Sequence, residues 1–397
     1  MLDPTMLGSI MAGKVPHILI FGAGSVGGYL GGRLMQGVMQ GLRSTEEINK
    51  GISEGELSGP TPHRDMLAHI TLLGRPSMTE TLRTKGLTLT HHSLPSFDLP
   101  LELIHAVDNI ADCLRPDGMG PDIIALCVKS QDTQAAAEQI KAQGWAAPII
   151  SWQNGIGNAA RLRGILPNNI IIPAVVPFNI TRPHGAQFHC GTGGVLHMGT
   201  GEAGQKDRKK TAHAHVALFA ALMAAAGEPV QSVPDIEAYQ WGKLIINLNN
   251  ALNALHGGAL RAGFRDRHYR RALAVSWQEA LGIITASGVE PKFFNGTDPY
   301  KFIKLLRLPS FIFAPIFARL IKMDAAARSS MLDDLEAGKN SEIDFLQGAI
   351  IDLAKDQGQD APVNQALYGA VTAAFAAGLS PKMTGREIWE AVSASEL

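Results

Sequence analysis

From His17 to Leu34 the chain reads His-Ile-Leu-Ile-Phe-Gly-Ala-Gly-Ser-Val-Gly-Gly-Tyr-Leu-Gly-Gly-Arg-Leu, and this stretch limits what the remainder can fold into. His17–Phe21 is a short apolar run that reads as a buried strand. Gly22, Gly24 and Gly27 then form G-x-G-x-x-G, and a helical pattern follows. In a dinucleotide-binding turn the first glycine allows the tight bend. The second lets a pyrophosphate approach the backbone, and the third lets helix and strand pack closely. The helix start adds unpaired N–H groups and a partial positive charge, both suited to phosphate. The loop Gly22, Ala23, Gly24, Ser25, Val26 and Gly27 is therefore the candidate cofactor cradle. Glycine-rich turns that bind nothing match the same pattern, but the preceding strand and following helix are the confirming context. Gly28, Gly31 and Gly32 extend the small face. Each glycine costs a helix roughly 1 kcal/mol, so their number predicts a helix lying very close to a sheet.

The chain has 397 residues, enough for two domains. Its apolar content of 46% permits a large core, and its net charge of -1 argues against nucleic acid as a partner. The apolar runs around 217–227 and 308–321 are too short to span a bilayer, which needs about 20 residues. The segment 1–16 lacks a basic start before an apolar core and reads as an N-terminal extension. Cys113, Cys127 and Cys190 form neither a disulfide framework nor metal-ligand spacing. These features place the protein in the cytoplasm, with no metal and no membrane partner.

Strand and helix signals alternate from residue 17 to about 234, which predicts a mostly parallel sheet with helices on both faces. Residues 37–65 are polar and read as an exposed insertion, so the second strand, His69–Leu73, arrives late. The segment 188–198 reads as a glycine-broken hairpin. Beyond Val233-Pro234 the periodicity turns helical: 236–256 with Asp235 as its cap, 266–287, a proline-interrupted stretch near 300–320, 325–356 and 363–377. The boundary is set at residue 234.

Ligands of open parallel sheets bind beyond the carboxyl ends of the strands. Arg75, Lys129 and Asn154 fall at such ends. Arg75 stands where an acid would hold the ribose hydroxyls of NAD. An arginine there suits a 2′-phosphate, hence NADP, the other reading being a solvated arginine. Lys129 also reads as a solvated strand end, and Gln153-Asn154-Gly155 as a simple turn. In Trp241-Gly-Lys-Leu-Ile-Ile-Asn247, Lys243 and Asn247 are one helical turn apart among apolar residues. A lysine on such a face is costly unless it is paired or useful. Burial would tune it as a proton donor, while snorkelling at the helix edge is the structural alternative. Periodicity does not decide whether Ser330 and Glu342 share a pocket, since Gly338 lies between them. On spacing alone, Glu342 reads as a solvated acid beside Lys339.

These stretches, with Leu72-Leu-Gly-Arg75, Val128-Lys-Ser-Gln-Asp-Thr133, Val176-Pro-Phe-Asn179, Ser329-Ser-Met-Leu-Asp-Asp334 and Ser341-Glu-Ile-Asp-Phe345, resemble the ketopantoate reductases (2-dehydropantoate 2-reductases) in order and spacing. The resemblance implies an α/β fold: an N-terminal Rossmann-type doubly wound sheet over 17–234 and an all-helical C-terminal domain over 235–397. It implies NADPH-dependent reduction of a small 2-oxo acid, as in pantothenate biosynthesis; a homodimer is one assembly open to the chain, and the sequence leaves the oligomeric state open. Lys243 would then be the general acid, and Glu342 would orient it and the substrate hydroxyl. Asn154, Asn247 and Ser330 would hold the substrate, and Lys129, Asn154 and Glu342 would also contact the cofactor. Two positions depart from the family: Ala251 and Ala327 stand where asparagines are usual, with Asn250 and Asn253 the nearest candidates to compensate. These departures bear on which 2-oxo acid is reduced. A 3-hydroxy acid dehydrogenase and a non-catalytic NADPH sensor are the rivals. Arg75 and the glycine run argue against the first, and the retained Lys243 and Glu342 against the second.

Overall fold

The computed structural model describes residues 15–50, 68–115, 117–200, 206–293, 296–320 and 327–394. The chain divides into two compact units, 1–153 with 157–234, and 154–156 with 235–397.

In the first unit the strands are β1 (His17–Phe21), β2 (His69–Leu73), β3 (Leu87–His91), β4 (Phe97–Leu99), β5 (His105–Val107), β6 (Ile123–Leu126), β7 (Ile149–Ser151), β8 (Ile171–Val175), β9 (Ile180–Thr181), β10 (Gln187–Cys190), β11 (Leu196–Gly199) and β12 (Val230–Val233). Its helices are α1 (Ser25–Lys50), α2 (Pro76–Lys85), α3 (Thr133–Ala142), α4 (Asn158–Ile165) and α5 (Lys206–Ala225). Eight strands form one sheet in the order β12-β11-β8-β7-β6-β1-β2-β5. From β8 to β5 every pairing is parallel, with β1 central between β2 and β6; β11 runs antiparallel to β8.

Strand alternation sends β1 into two cores. Ile18 and Ile20 join Leu72, Ile123 and Ile150 under α1 and α5, while Leu19 and Phe21 join Ile124, Leu126 and Ile149 under α3 and α4. Both faces are thus covered by helices, which is the doubly wound arrangement.

A second, four-stranded sheet runs β4-β3-β10-β9. The segment 188–198 is therefore no hairpin, because β10 belongs to this sheet and β11 to the larger one. Helix α1 lies between the two sheets. A Cβ on Gly31 would sit 2.3 Å from Leu72, and one on Gly28 2.1 Å from the Phe188 ring. The close approach predicted for this helix thus involves both sheets.

The polar segment expected from residue 37 starts later. Helix α1 continues to Lys50, Val38 is buried, and a Cβ on Gly37 would meet the Leu222 carbonyl oxygen at 2.1 Å. Residues 51–65 of that expected insertion lie outside the described residues.

The second unit contains, among the described residues, only helices: α6 (Ile236–Asn247), α7 (Asn249–His256), α8 (Leu260–Arg265), α9 (Arg267–Ala286), α10 (Pro299–Leu306), α11 (Ser310–Leu320), α12 (Ser330–Glu336), α13 (Gln347–Asp356), α14 (Pro362–Ala377) and α15 (Gly385–Ser393), with a 3-10 turn at Ile343–Phe345. Arg270 on α9 is fully buried, yet its guanidinium is well bonded. It donates to the carbonyls of Phe264, Arg265, Leu306 and Leu308 at 2.8, 3.2, 3.2 and 3.0 Å. One cation thereby closes the carboxyl ends of α8 and α10, where carbonyl dipoles favour positive charge.

Two sequence expectations change here. Asp235 does not cap α6 with its side chain but pairs with Lys292 at 3.1 Å. The single helix expected over 325–356 is broken, because Gly338 at φ +61 ends α12. Gly338 N donates to Leu335 O and Lys339 N to Asp334 O, the paired bonds of a Schellman stop.

Candidate active site

In the first unit the expected cofactor residues gather at the carboxyl ends of β1, β2 and β6. Gly22 has φ +106, and a Cβ there would lie 2.9 Å from both Val128 N and Val128 Cγ1. A Cβ on Gly27 would lie 2.0 Å from the Gly22 carbonyl oxygen, so only glycine lets α1 start this close to its strand. Around Gly24, by contrast, a Cβ would meet nothing within 4 Å. The N–H groups of Gly22 and Ala23 donate to Leu73 O at 2.9 and 2.8 Å, which ties the turn to β2. Gly28 N donates to Gly24 O, so Ser25, Val26 and Gly27 precede the helix's own ladder and leave their N–H groups at its positive end. An open flank beside a helix N-terminus fits a pyrophosphate.

Arg75 is exposed just past β2, in extended conformation before Pro76 opens α2. Lys129 is half-buried after β6, in extended conformation before a 3-10 turn at Ser130–Asp132.

In the second unit the structure joins the segments bearing the other candidates. Lys243 and Asn247 are both half-buried on α6. The preceding Gly242 lets the chain at Lys292 cross the helix, since a Cβ there would sit 2.0 Å from Lys292 O. Burial pulls the Lys243 ammonium from its ordinary 10.5 down to about 8, because desolvation disfavours the charged form. Leu248 breaks the helix between α6 and α7, and its carbonyl accepts a 2.9 Å bond from the buried Gln347 amide. That bond holds the start of α13 and, just before it, the half-buried Glu342. Ser330 is exposed in the first turn of α12, while Ser329 is the buried cap and accepts from Leu332 N at 3.2 Å. Asn154 is exposed and groups with this unit through residues 154–156, where Ile156 packs on the helical core. Lys243, Asn247, Ser330, Glu342 and Asn154 thus belong to one unit, and the glycine turn, Arg75 and Lys129 to the other.

Of the two candidates to replace the missing asparagines, Asn253 is committed to structure. It is fully buried, donates to Gly258 O at 2.8 Å and accepts from Ser329 N at 2.9 Å. Ala251 is itself fully buried in the core. The sequence reading missed Gln347, and it offered Asn253 as a stand-in for a missing asparagine without its bond to Ser329; a glutamine or asparagine in an apolar helical pattern was the available signal, since such a group needs a partner when buried.

Among the described residues, His91, His92 and Cys190 place three possible metal-ligand atoms within 4.8 Å of one another. His91 and Cys190 are otherwise engaged. His91 Nδ1 accepts from Ser93 N and Leu94 N at 3.1 and 3.0 Å, which leaves its proton on Nε2, 3.3 Å from Glu228. Burial pushes the Cys190 thiol up to about 12, and it donates to Thr192 O. The buried Glu228 also accepts from Tyr29 and lies 3.8 Å from Arg33. This is a hydrogen-bonded cluster that a metal would have to dismantle.

No helix among the described residues is long and apolar enough to cross a membrane. Comparison with known proteins agrees with the fold. The family described as "Ketopantoate reductase PanE/ApbA" matches residues 63–203, and its "C terminal" counterpart matches 235–374. A 2-dehydropantoate 2-reductase of Halobacterium salinarum is 28% identical over 258 residues, which is 63% of this chain and 75% of the relative. The crystal structure of a PanE/ApbA family ketopantoate reductase from Ralstonia eutropha JMP134 superposes with a TM-score of 0.68 at 25% identity, covering 91% of this chain and 99% of that one. A D-mandelate dehydrogenase solved with NADH and anilino(oxo)acetate shares the fold, with a TM-score of 0.67 at 16% identity over 91% of this chain and 99% of that one. With both family descriptions matched in order and together spanning most of its length, the chain belongs to the ketopantoate reductase family.

Proposed function

We propose that the protein reduces 2-dehydropantoate to pantoate with NADPH. The observation that carries this reading is Lys243: an ammonium drawn down to about 8 by burial, one helical turn from Asn247. A group protonated at neutral pH yet acidic enough to release its proton is what an alkoxide-forming step needs.

When bound, the reduced nicotinamide supplies a hydride to the carbonyl carbon of the substrate. As negative charge develops on the carbonyl oxygen, the Lys243 ammonium stabilises it and delivers the proton that completes the hydroxyl. Lys243 is left neutral and takes a proton from solvent before the next turnover. Asn247, Asn154 and Ser330 are assigned to holding the substrate, by amide and hydroxyl bonds that fix the carbonyl toward Lys243. Glu342 is assigned to orienting Lys243 and the substrate hydroxyl. Ser25 to Gly27 are assigned to the pyrophosphate, Lys129 to the cofactor beyond it, and Arg75 to the 2′-phosphate that distinguishes NADP from NAD.

The test is an assay of NADPH oxidation with 2-dehydropantoate beside a panel of other 2-oxo acids. Preferred turnover of 2-dehydropantoate upholds the reading. A strong preference for another acid upholds the reduction and replaces the substrate, an outcome that Ala251 and the engaged Asn253 make worth including. No oxidation with any of them overturns it.

A further inference from the structure

Beyond the carboxyl ends of β6 and β7, a set of polar side chains is buried together. Ser130, Thr133, Gln153 and Asn158 are between 0 and 6% exposed. Buried hydroxyls and amides are costly unless bonded, and these bond to one another. Gln153 lies at the centre. Its Nε2 donates to Thr133 Oγ1 at 2.7 Å and to Val128 O at 3.2 Å, and its Oε1 accepts from Ser151 Oγ at 3.0 Å. Asn158 Nδ2 donates to Ser130 Oγ at 2.9 Å. Thr133 Oγ1 lies 2.8 Å from Ser130 O and 3.1 Å from Asn158 Oδ1, sharing one proton between two acceptors.

The groups that receive these bonds stand on either side of Lys129. Val128 precedes it and Ser130 follows it. Val128 also walls the glycine turn, since its N and Cγ1 lie 2.9 Å from where a Cβ on Gly22 would be. One buried network therefore holds the segment that carries Lys129 and backs the cradle.

We propose that Gln153, acting with Thr133 and Asn158, is a positioning residue for cofactor binding: it fixes residues 128–130 so that Lys129 and the glycine turn meet the cofactor together. This rests on the assignment of Lys129 to the cofactor. A residue that merely stabilises the domain would lower the melting temperature without acting through Lys129.

The discriminating experiment is a double-mutant cycle on the full chain, with NADPH titrated directly and thermal melts recorded alongside. Gln153→Met keeps the length and removes every bond. It removes the Gln153 bond to Val128 O and loosens the segment that carries Lys129, so NADPH Kd is expected to rise about tenfold. Lys129→Ala is expected to weaken NADPH as well, and Gln153→Met to add less than about twofold in that background. Multiplying effects, or an unchanged Kd in Gln153→Met, would overturn the positioning role while leaving Lys129 in place. An unchanged Kd in Lys129→Ala alone would remove the Lys129 assignment, and the proposal with it. If Gln153→Met yields no soluble protein, Thr133→Val, close in shape, carries the same cycle.

Discussion

Asn253 and Ser329 are joined by a buried hydrogen bond, Asn253 Oδ1 accepting the Ser329 N–H at 2.9 Å. Through it the asparagine on α7 fixes the cap of α12, and so the place of Ser330. Its Nδ2 meanwhile donates to Gly258 O just past the end of α7. One amide thus ties α7, which follows the Lys243 helix, to the start of α12, where the serine pair stands.

Asn253→Ala should therefore destabilise the protein. It leaves the Ser329 N–H and the Gly258 carbonyl without these partners, and each buried unsatisfied group costs about 1–3 kcal/mol. Urea denaturation should report a loss of about 2–6 kcal/mol. An unchanged midpoint would mean that water or a shifted helix replaces both bonds.

The glycine turn gives a paired prediction. Gly27→Ala forces a Cβ to 2.0 Å from the Gly22 carbonyl oxygen, a backbone clash that should lower the melting temperature sharply. Gly24→Ala meets nothing within 4 Å and should melt like the parent. If the open flank at Gly24 is where pyrophosphate approaches, Gly24→Ala should nevertheless weaken NADPH binding by about tenfold or more, since the added methyl lies between phosphate and backbone. Parental affinity in Gly24→Ala would move the cradle elsewhere.

Cofactor choice is tested at Arg75, exposed between β2 and α2. Hydrogen bonds to charged groups contribute about 1.5–3 kcal/mol. Arg75→Ala should then weaken NADPH about 10- to 100-fold and leave NADH within about threefold. Equal affinities for the two cofactors in the parent would remove Arg75 from this role.

Much of this architecture is legible in the chain because the determining signals are local. Apolar runs such as Ile18–Phe21 and Ile123–Leu126 are strands buried on both sides, and their order alone implies parallel pairing. The helical character after residue 234 is equally local. What was not legible depends on partners distant in sequence. Nothing between 188 and 198 says that β10 pairs with β3 and β11 with β8. Gly37 looks like a loop residue until Leu222 is seen to need the space. Gly338 could either bend a helix or end one, and only its positive φ with the bonds at Leu335 and Asp334 decides. At the site, Lys243 stands out in sequence as a cation among apolar neighbours. The Asn253–Ser329 and Gln347–Leu248 links, separated by 76 and 99 residues, do not.

The proton donor gives the most direct test. If Lys243 is the acid, as proposed, reduction requires its protonated form, and burial places its pKa at about 8 instead of 10.5. The ratio kcat/KM, which reports groups of the free enzyme, should be level below that value and should fall about tenfold per pH unit above it. The Lys243 contribution to stability runs the other way. Between about 8 and 10.5 the unfolded chain still binds the proton that the folded chain has lost, so that contribution rises with pH. An alkaline loss of activity in a protein that remains folded therefore reports the donor and not denaturation. Lys243→Ala should lose about 10²–10⁴-fold in kcat, the usual contribution of general acid catalysis, which corresponds to about 3–5 kcal/mol of barrier. NADPH affinity should change little, because the residues assigned to the cofactor phosphates, the glycine turn and Arg75, lie in the first unit. The measurement is kcat/KM and kcat across pH 6–10 for parent and variant, with an NADPH titration of each. If kcat of Lys243→Ala stays within about threefold of the parent, the acid is another group, and the assignments of Asn247 and Glu342 that depend on Lys243 fall with it.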